Sequence, residues 1–272
     1  MPPHWSDAYI TLDSLTFHYT RTGDGNKPPL LLLHGFTDNG LCWLRVARDL
    51  EAQHDVIMPD ARGHGLSARV QTGEPLDNAA DVAGLIIALG LSKPVVGGHS
   101  MGGLTATELG ARYPELVGGL VLEDPAWIDP LPDDAPLQEN PFFAWLLTLE
   151  DVPLDEIIAF GKTISPLWAE VEFPAWAESK RQLDKNIFPL VNVRKPWREF
   201  VAALTVPTLL ITAVPEMSAI ITSAITQEAV SLSPFLQAAQ VPDAGHNIRR
   251  ENYSAFMNVL QAFLSQFTPN ND

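Results

Sequence analysis

The sequence predicts an α/β fold: a mostly parallel central sheet with helices on both faces and a helical cap insertion. Three observations carry this expectation. Short Leu- or Val-rich runs alternate with helical patterns. Several of those runs are apolar throughout, as befits strands covered on both faces. One long stretch, rich in proline and tryptophan, contains no such run. At 272 residues, the chain is long enough to bury one large core.

Taken in order, residues 8–22 read as an opening hairpin: Ala8 to Leu12, a turn at Asp13-Ser14, then Leu15 to Tyr19. Pro29 to Leu33 and Asp55 to Pro59 follow as buried strands. An amphipathic helix over 78–90 leads into a strand at Lys93 to Gly97, and Gly119 to Glu123 and Pro207 to Thr212 are two more strands. The tail from Tyr253 to Phe267 has apolar residues at helical spacing and should pack on the sheet. Between 125 and 200 lie Pro125, Pro130, Pro132, Pro136, Pro141, Pro153, Pro166 and Pro174, with five of the seven tryptophans. The expected division is therefore a core of residues 1–128 and 201–272, with a helical cap at 129–200.

Composition narrows the function. Hydrophobic residues are 46% and charged residues 18% of the chain, a globular balance. No window approaches a membrane-spanning length of apolar residues, and Met1 to Asp7 lacks the pattern of a signal peptide, so a cytoplasmic location is expected. Lone Cys42 allows no internal disulfide, and no His-x-x-x-His pair calls for a metal. A formal charge of −16 would repel phosphate backbones, so nucleic acid is not an expected partner. The oligomeric state is left open.

The chemistry is expected at Gly98-His99-Ser100-Met101-Gly102-Gly103, between a strand and a helix pattern. A G-x-S-x-G run in that setting describes a nucleophile elbow, where a sharp turn presents the serine and small neighbours let strand and helix close. The helix beginning there offers free amides to negative charge, which makes Met101 N–H one candidate oxyanion donor. Phe36, after Leu33-His34-Gly35, is the candidate for the second. A serine hydroxyl needs a base, and His246 in Val241-Pro242-Asp243-Ala244-Gly245-His246 is placed to be one. The orienting carboxylate should fall between the two in chain order. Glu216, just past the strand at 207–212, is the expected acid, and Asp124, just past 119–123, is its rival. His34 and His64 are read as structural loop histidines, and His99 as a neighbour whose ring points away from the nucleophile.

His34-Gly35-Phe36, Asp60-Ala61-Arg62-Gly63-His64-Gly65-Leu66-Ser67, Gly98 to Gly103 and Gly245-His246 together resemble the α/β-hydrolase superfamily. The nearest branches are the capped carboxylesterases and the cofactor-free haloperoxidase-like perhydrolases. The resemblance covers residues 8–124 and 201–267 and barely touches the cap. It implies an α/β-hydrolase fold, no cofactor, and a small-molecule ester as substrate. The acid loop departs from the family's Gly-x-x-Asp pattern, reading Ala213-Val214-Pro215-Glu216. The resulting expectation is ester hydrolysis through an acyl-enzyme, with Trp127, Phe142, Trp145 and Trp168 around an apolar acyl or aryl pocket. The same triad would also serve a perhydrolase, lactonase, amidase or carbon–carbon bond hydrolase. A non-catalytic ligand-binding receptor is the reading from another class.

Overall fold

A computed structural model describes residues 4–71, 75–129, 141–149, 151–191 and 195–267. Met1 to Pro3, Pro130, Pro132 and Pro136 lie outside these described residues.

The chain opens with β1 (Ser6–Leu12) and β2 (Leu15–Arg21), an antiparallel hairpin with Leu12 facing Leu15. Asp13, in its turn, has φ 51°, a left-handed conformation that a short polar side chain tolerates. Then come β3 (Pro29–Leu33), α1 (Leu44–Leu50), β4 (Asp55–Pro59), α2 (Asn78–Ala88), β5 (Val95–His99), α3 (Met101–Arg112) and β6 (Gly119–Glu123). Between β6 and β7 the described residues hold α4 (Pro141–Leu146), α5 (Leu154–Ile164), α6 (Phe173–Gln182), α7 (Phe188–Val191) and α8 (Trp197–Ala202), and no strand. The chain ends with β7 (Thr208–Thr212), α9 (Ser223–Leu232), β8 (Leu236–Gln240), α10 (Ile248–Glu251) and α11 (Tyr253–Leu264).

The eight strands form one sheet in the order β1-β2-β4-β3-β5-β6-β7-β8. Pairing is parallel from β4 through β8 and antiparallel only at the opening hairpin and where β2 meets β4. β5 lies two residues later than the sequence suggests, because Lys93 and Pro94 form its entry and the strand runs to His99. The nucleophile candidate therefore follows the last strand residue directly. β8 has no apolar signature: of Leu-Gln-Ala-Ala-Gln only Leu236 is buried, as an edge strand allows.

Side chains of one strand divide between two cores, since neighbours point to opposite faces. Leu31 and Leu33 of β3 join α2, α3, α8 and α9 on one face. Leu30 and Leu32 join α1 and α11 on the other. All four are at most 5% exposed, and each contributes about 2 kcal/mol by leaving water. A third apolar cluster, with Leu146, Ile157, Trp176, Ile187 and Phe188, packs the helices α4 to α7 together and reaches Cys42 and Val70. No helix among the described residues is long and apolar enough to cross a membrane.

Candidate active site

The site is assembled where β3, β5, β6 and β8 end on the same edge of the sheet, the place where open parallel sheets gather ligands. Ser100 follows β5 and is the residue just before α3. Its backbone is held at φ 52°, ψ −113°, a conformation that non-glycine residues adopt only when the surroundings enforce it. The enforcement is visible in the neighbours. A Cβ on Gly98 would lie 2.2 Å from the Gly102 carbonyl oxygen, and one on Gly102 would lie 2.3 Å from that of Leu33. Only glycines let strand, helix and the β3 exit come this close. The Ser100 amide donates to the Glu123 carbonyl at 3.0 Å, which ties the elbow to β6.

The Ser100 side chain makes no capping bond to α3. Its hydroxyl instead lies 3.0 Å from His246 Nε2, and His246 Nδ1 lies 2.6 Å from Asp124 Oδ2. A carboxylate can only accept, so Nδ1 donates to Asp124 and Nε2 presents its lone pair to the hydroxyl. Asp124 is fully buried. Its Oδ2 also accepts from the Ile220 amide at 2.8 Å, and Oδ1 accepts from that of Ile221 at 2.9 Å.

Of the two candidate acids, it is Asp124 and not Glu216 that meets the His246 ring. Glu216 lies on a single helical turn, Pro215–Met217, after β7, exposed and without a hydrogen bond or ion pair of its side chain among the described residues. The loop that was expected to supply the acid supplies two backbone amides instead. These hold the acid offered by β6. Asp124 has φ 38°, a strained backbone that no sequence pattern signals.

The histidines sort as their surroundings dictate. His34 Nε2 accepts from the Ala61 amide at 3.0 Å, and its Nδ1 donates to the Gly35 carbonyl at 2.8 Å. His64 Nδ1 donates to the Arg62 carbonyl at 3.1 Å, and burial pushes its pKa down to about 3. Both brace loops. The His99 ring lies against that of His246, with centroids 4.7 Å apart, and its Nε2 donates to the His246 carbonyl at 2.9 Å. Burial, with Arg249 nearby, holds His99 well below the ordinary histidine range, so it braces His246 as a neutral ring.

Gly35 runs against the elbow, its Cβ position 3.4 Å from Ser100 Cβ, and Phe36 follows it into a cavity of about 770 Å³. Ser100, Met101 and His246 lie on the cavity wall. Of the four aromatic residues expected around the pocket, Phe142 and Trp168 line it. Trp127 and Trp145 do not. Trp127 stacks on Trp197 at 5.0 Å and donates to Thr107 Oγ1 at 3.2 Å, in the core beneath α8. Trp145 packs on Phe160, with centroids 4.4 Å apart.

Sequence reasoning also passed over a buried ionic cluster beside the cavity. Asp38 accepts from Lys180 Nζ at 2.8 Å and from an Arg250 guanidinium nitrogen at 3.0 Å. Arg249 pairs with Glu123 at 2.9 Å. Asp38, Lys180 and the adjacent pair Arg249-Arg250 lie far apart in the chain, at spacings with no motif. No group of histidine, cysteine or acidic side chains able to hold a metal occurs among the described residues.

A family model described as the alpha/beta hydrolase fold matches residues 28–156. The chain is 32% identical over 184 residues to lipase LipV of Mycobacterium tuberculosis, covering 68% of this chain and 67% of the relative. It is 28% identical over 263 residues to lipase 1 of Psychrobacter immobilis, covering 90% and 81% respectively. Among solved structures, an N-formylmaleamic acid deformylase from Pseudomonas putida superposes with a TM-score of 0.80 at 24% identity, covering 94% of this chain and all of that one. An esterase from Thermogutta terrifontis gives 0.74 at 24%, covering 97% and 100%. Fold, strand order and these likenesses agree: the chain belongs to the α/β-hydrolase superfamily.

Proposed function

We propose that this protein is a serine hydrolase that cleaves carboxylic esters through an acyl-enzyme, with Ser100 as nucleophile, His246 as general base and Asp124 as the orienting acid. The observation that carries the reading is the unbroken relay from Asp124 Oδ2 through His246 to Ser100 Oγ, at 2.6 and 3.0 Å. His246 Nε2 takes the hydroxyl proton as Oγ attacks the ester carbonyl. Asp124 keeps the imidazole in the tautomer that can accept it, and offsets the charge of the imidazolium that forms. The amides of Met101 and Phe36 meet the developing oxyanion, an effect worth about 3 kcal/mol per donor. The imidazolium then protonates the leaving alcohol, and the neutral ring activates water for deacylation.

An apolar acyl or aryl group fits the cavity wall formed by Phe36, Leu104, Ile128, Phe142 and Trp168. The described helices α4 to α7 act as a cap over this cavity. The lipase and esterase relatives support ester cleavage at family level. Another relative, 34% identical over 44% of this chain, is a 2-(acetamidomethylene)succinate hydrolase, which favours amides as the second substrate class to try.

A fluorophosphonate probe and a panel of p-nitrophenyl esters test the reading. The probe should label Ser100, and Ser100→Ala should abolish labelling and lower kcat by about a millionfold. An unlabelled, folded wild-type protein would end the hydrolase reading. Labelling with turnover of amides but no ester would keep the triad and replace the substrate class.

A further inference from the structure

Thr37 is held at φ 71° in the turn Gly35-Phe36-Thr37-Asp38, which closes through the Asp38 amide on the Gly35 carbonyl at 3.1 Å. Positive φ in such a turn usually falls to glycine or asparagine, because a branched Cβ crowds the backbone. A strained residue of this kind persists only where its surroundings over-determine it. Here the determining group comes from far away in the chain. The Lys180 ammonium, in the last turn of α6, donates to the Thr37 carbonyl at 2.9 Å and to Asp38 Oδ1 at 2.8 Å. Its third proton reaches Ser179 Oγ at 3.3 Å. Lys180 is 3% exposed, and with all three protons engaged it is a fixed strut. The other Asp38 oxygen accepts from Arg250 at 3.0 Å, four residues beyond His246. One carboxylate thus joins the loop after β3, helix α6 and the segment that carries the base.

We propose that Lys180 is a positioning residue for the oxyanion site. It holds the Thr37 peptide, and through it the Phe36 amide, at the angle the tetrahedral intermediate requires. The inference rests on the hydrolase reading above and assigns α6 a part in it. Without the ammonium, Thr37 relaxes toward negative φ and the turn rotates, carrying the Phe36 N–H off the oxyanion position. The oxyanion exists only along the reaction path, so the loss falls on kcat and leaves substrate binding nearly unchanged.

Lys180→Met and Lys180→Gln test this beside Leu183→Ala, which loosens the apolar cluster packed on α6 and has no side-chain hydrogen bond to lose at the turn. Lys180→Met should lower kcat about 10- to 100-fold with KM within about twofold. Affinity for phenylboronic acid, whose Ser100 adduct places an oxygen in the oxyanion position, should fall in the same proportion. Lys180→Gln keeps a shorter, neutral donor and should lose less, and it decides the matter if the Met variant does not fold. Leu183→Ala should lower Tm and leave kcat near wild type. Wild-type kcat and boronate affinity in a folded Lys180 variant would overturn the proposal, as would an equal kcat loss in Leu183→Ala. Fluorophosphonate labelling of the wild-type protein separates the two readings: no label ends both, whereas a label with unaffected Lys180 variants ends only this one.

Discussion

The loops that leave β6 and β7 each carry a carboxylate at the edge of the sheet where Ser100 stands, and they treat it differently. Asp124 is fully buried and accepts from two backbone amides and the His246 ring. Glu216, in the adjacent loop, is exposed on a single helical turn and engages none of them. A buried carboxylate stays charged only if donors surround it, and the β7 loop directs its amides at Asp124 rather than positioning its own acid. The two loops therefore divide one task, with one contributing the charge and the other its solvation.

The strongest way to break this comparison is Asp124→Asn, which removes the charge while preserving the shape. A fall of about 10⁴-fold in kcat for a p-nitrophenyl ester is expected, and an activity near wild type would return the role to another acid. Next in size is the anchoring of the β6 exit. Trp127, three residues past Asp124, stacks on Trp197 of α8, so Trp127→Ala should cost about 3–5 kcal/mol in chemical denaturation. Trp168→Ala, on the cavity wall, should chiefly raise KM.

The pH range open to the comparison has its own limit. His64 has a folded pKa of about 3 because burial disfavours its charged form, whereas the unfolded chain takes that proton near pH 6.5. The unfolded state thus binds more protons below pH 6.5, and stability falls as pH falls. At pH 5 the loss from His64 is about 2 kcal/mol, and His64→Gln should flatten the decline of Tm between pH 7 and pH 5. A smaller effect comes from Ile221→Pro, which deletes one amide donor to Asp124. It should reduce kcat about tenfold, the worth of one hydrogen bond to a charged group. Glu216→Gln is the smallest and should change kcat less than about twofold, since an exposed, unpaired charge contributes little. A large drop there would overturn the division of labour between the loops.

Much of the site is legible along the chain because its signals are local. Gly98, Gly102 and Ser100 must follow one another for a strand to turn sharply into a helix, and the apolar run of β3 and the Gly245-His246 step announce themselves in the same way. The acid carries no comparable local signal. Asp124 and Glu216 both follow a buried strand, and the choice between them depends on where the amides of Ile220 and Ile221 come to rest. The tryptophans pose the same difficulty, since composition places Trp127 and Trp168 in one region while only packing sends one beneath α8 and the other to the cavity.

By itself, then, the sequence determined the parallel sheet and the elbow and singled out Ser100 and His246 as candidates, because hydrophobic period and glycine spacing are properties of neighbouring residues. Tertiary structure alone decided which carboxylate faces the imidazole, which aromatic rings meet the cavity, and how Lys180 reaches the turn at Thr37. Those outcomes depend on desolvation and on donors brought together across more than a hundred residues, and no pattern of adjacent residues encodes them.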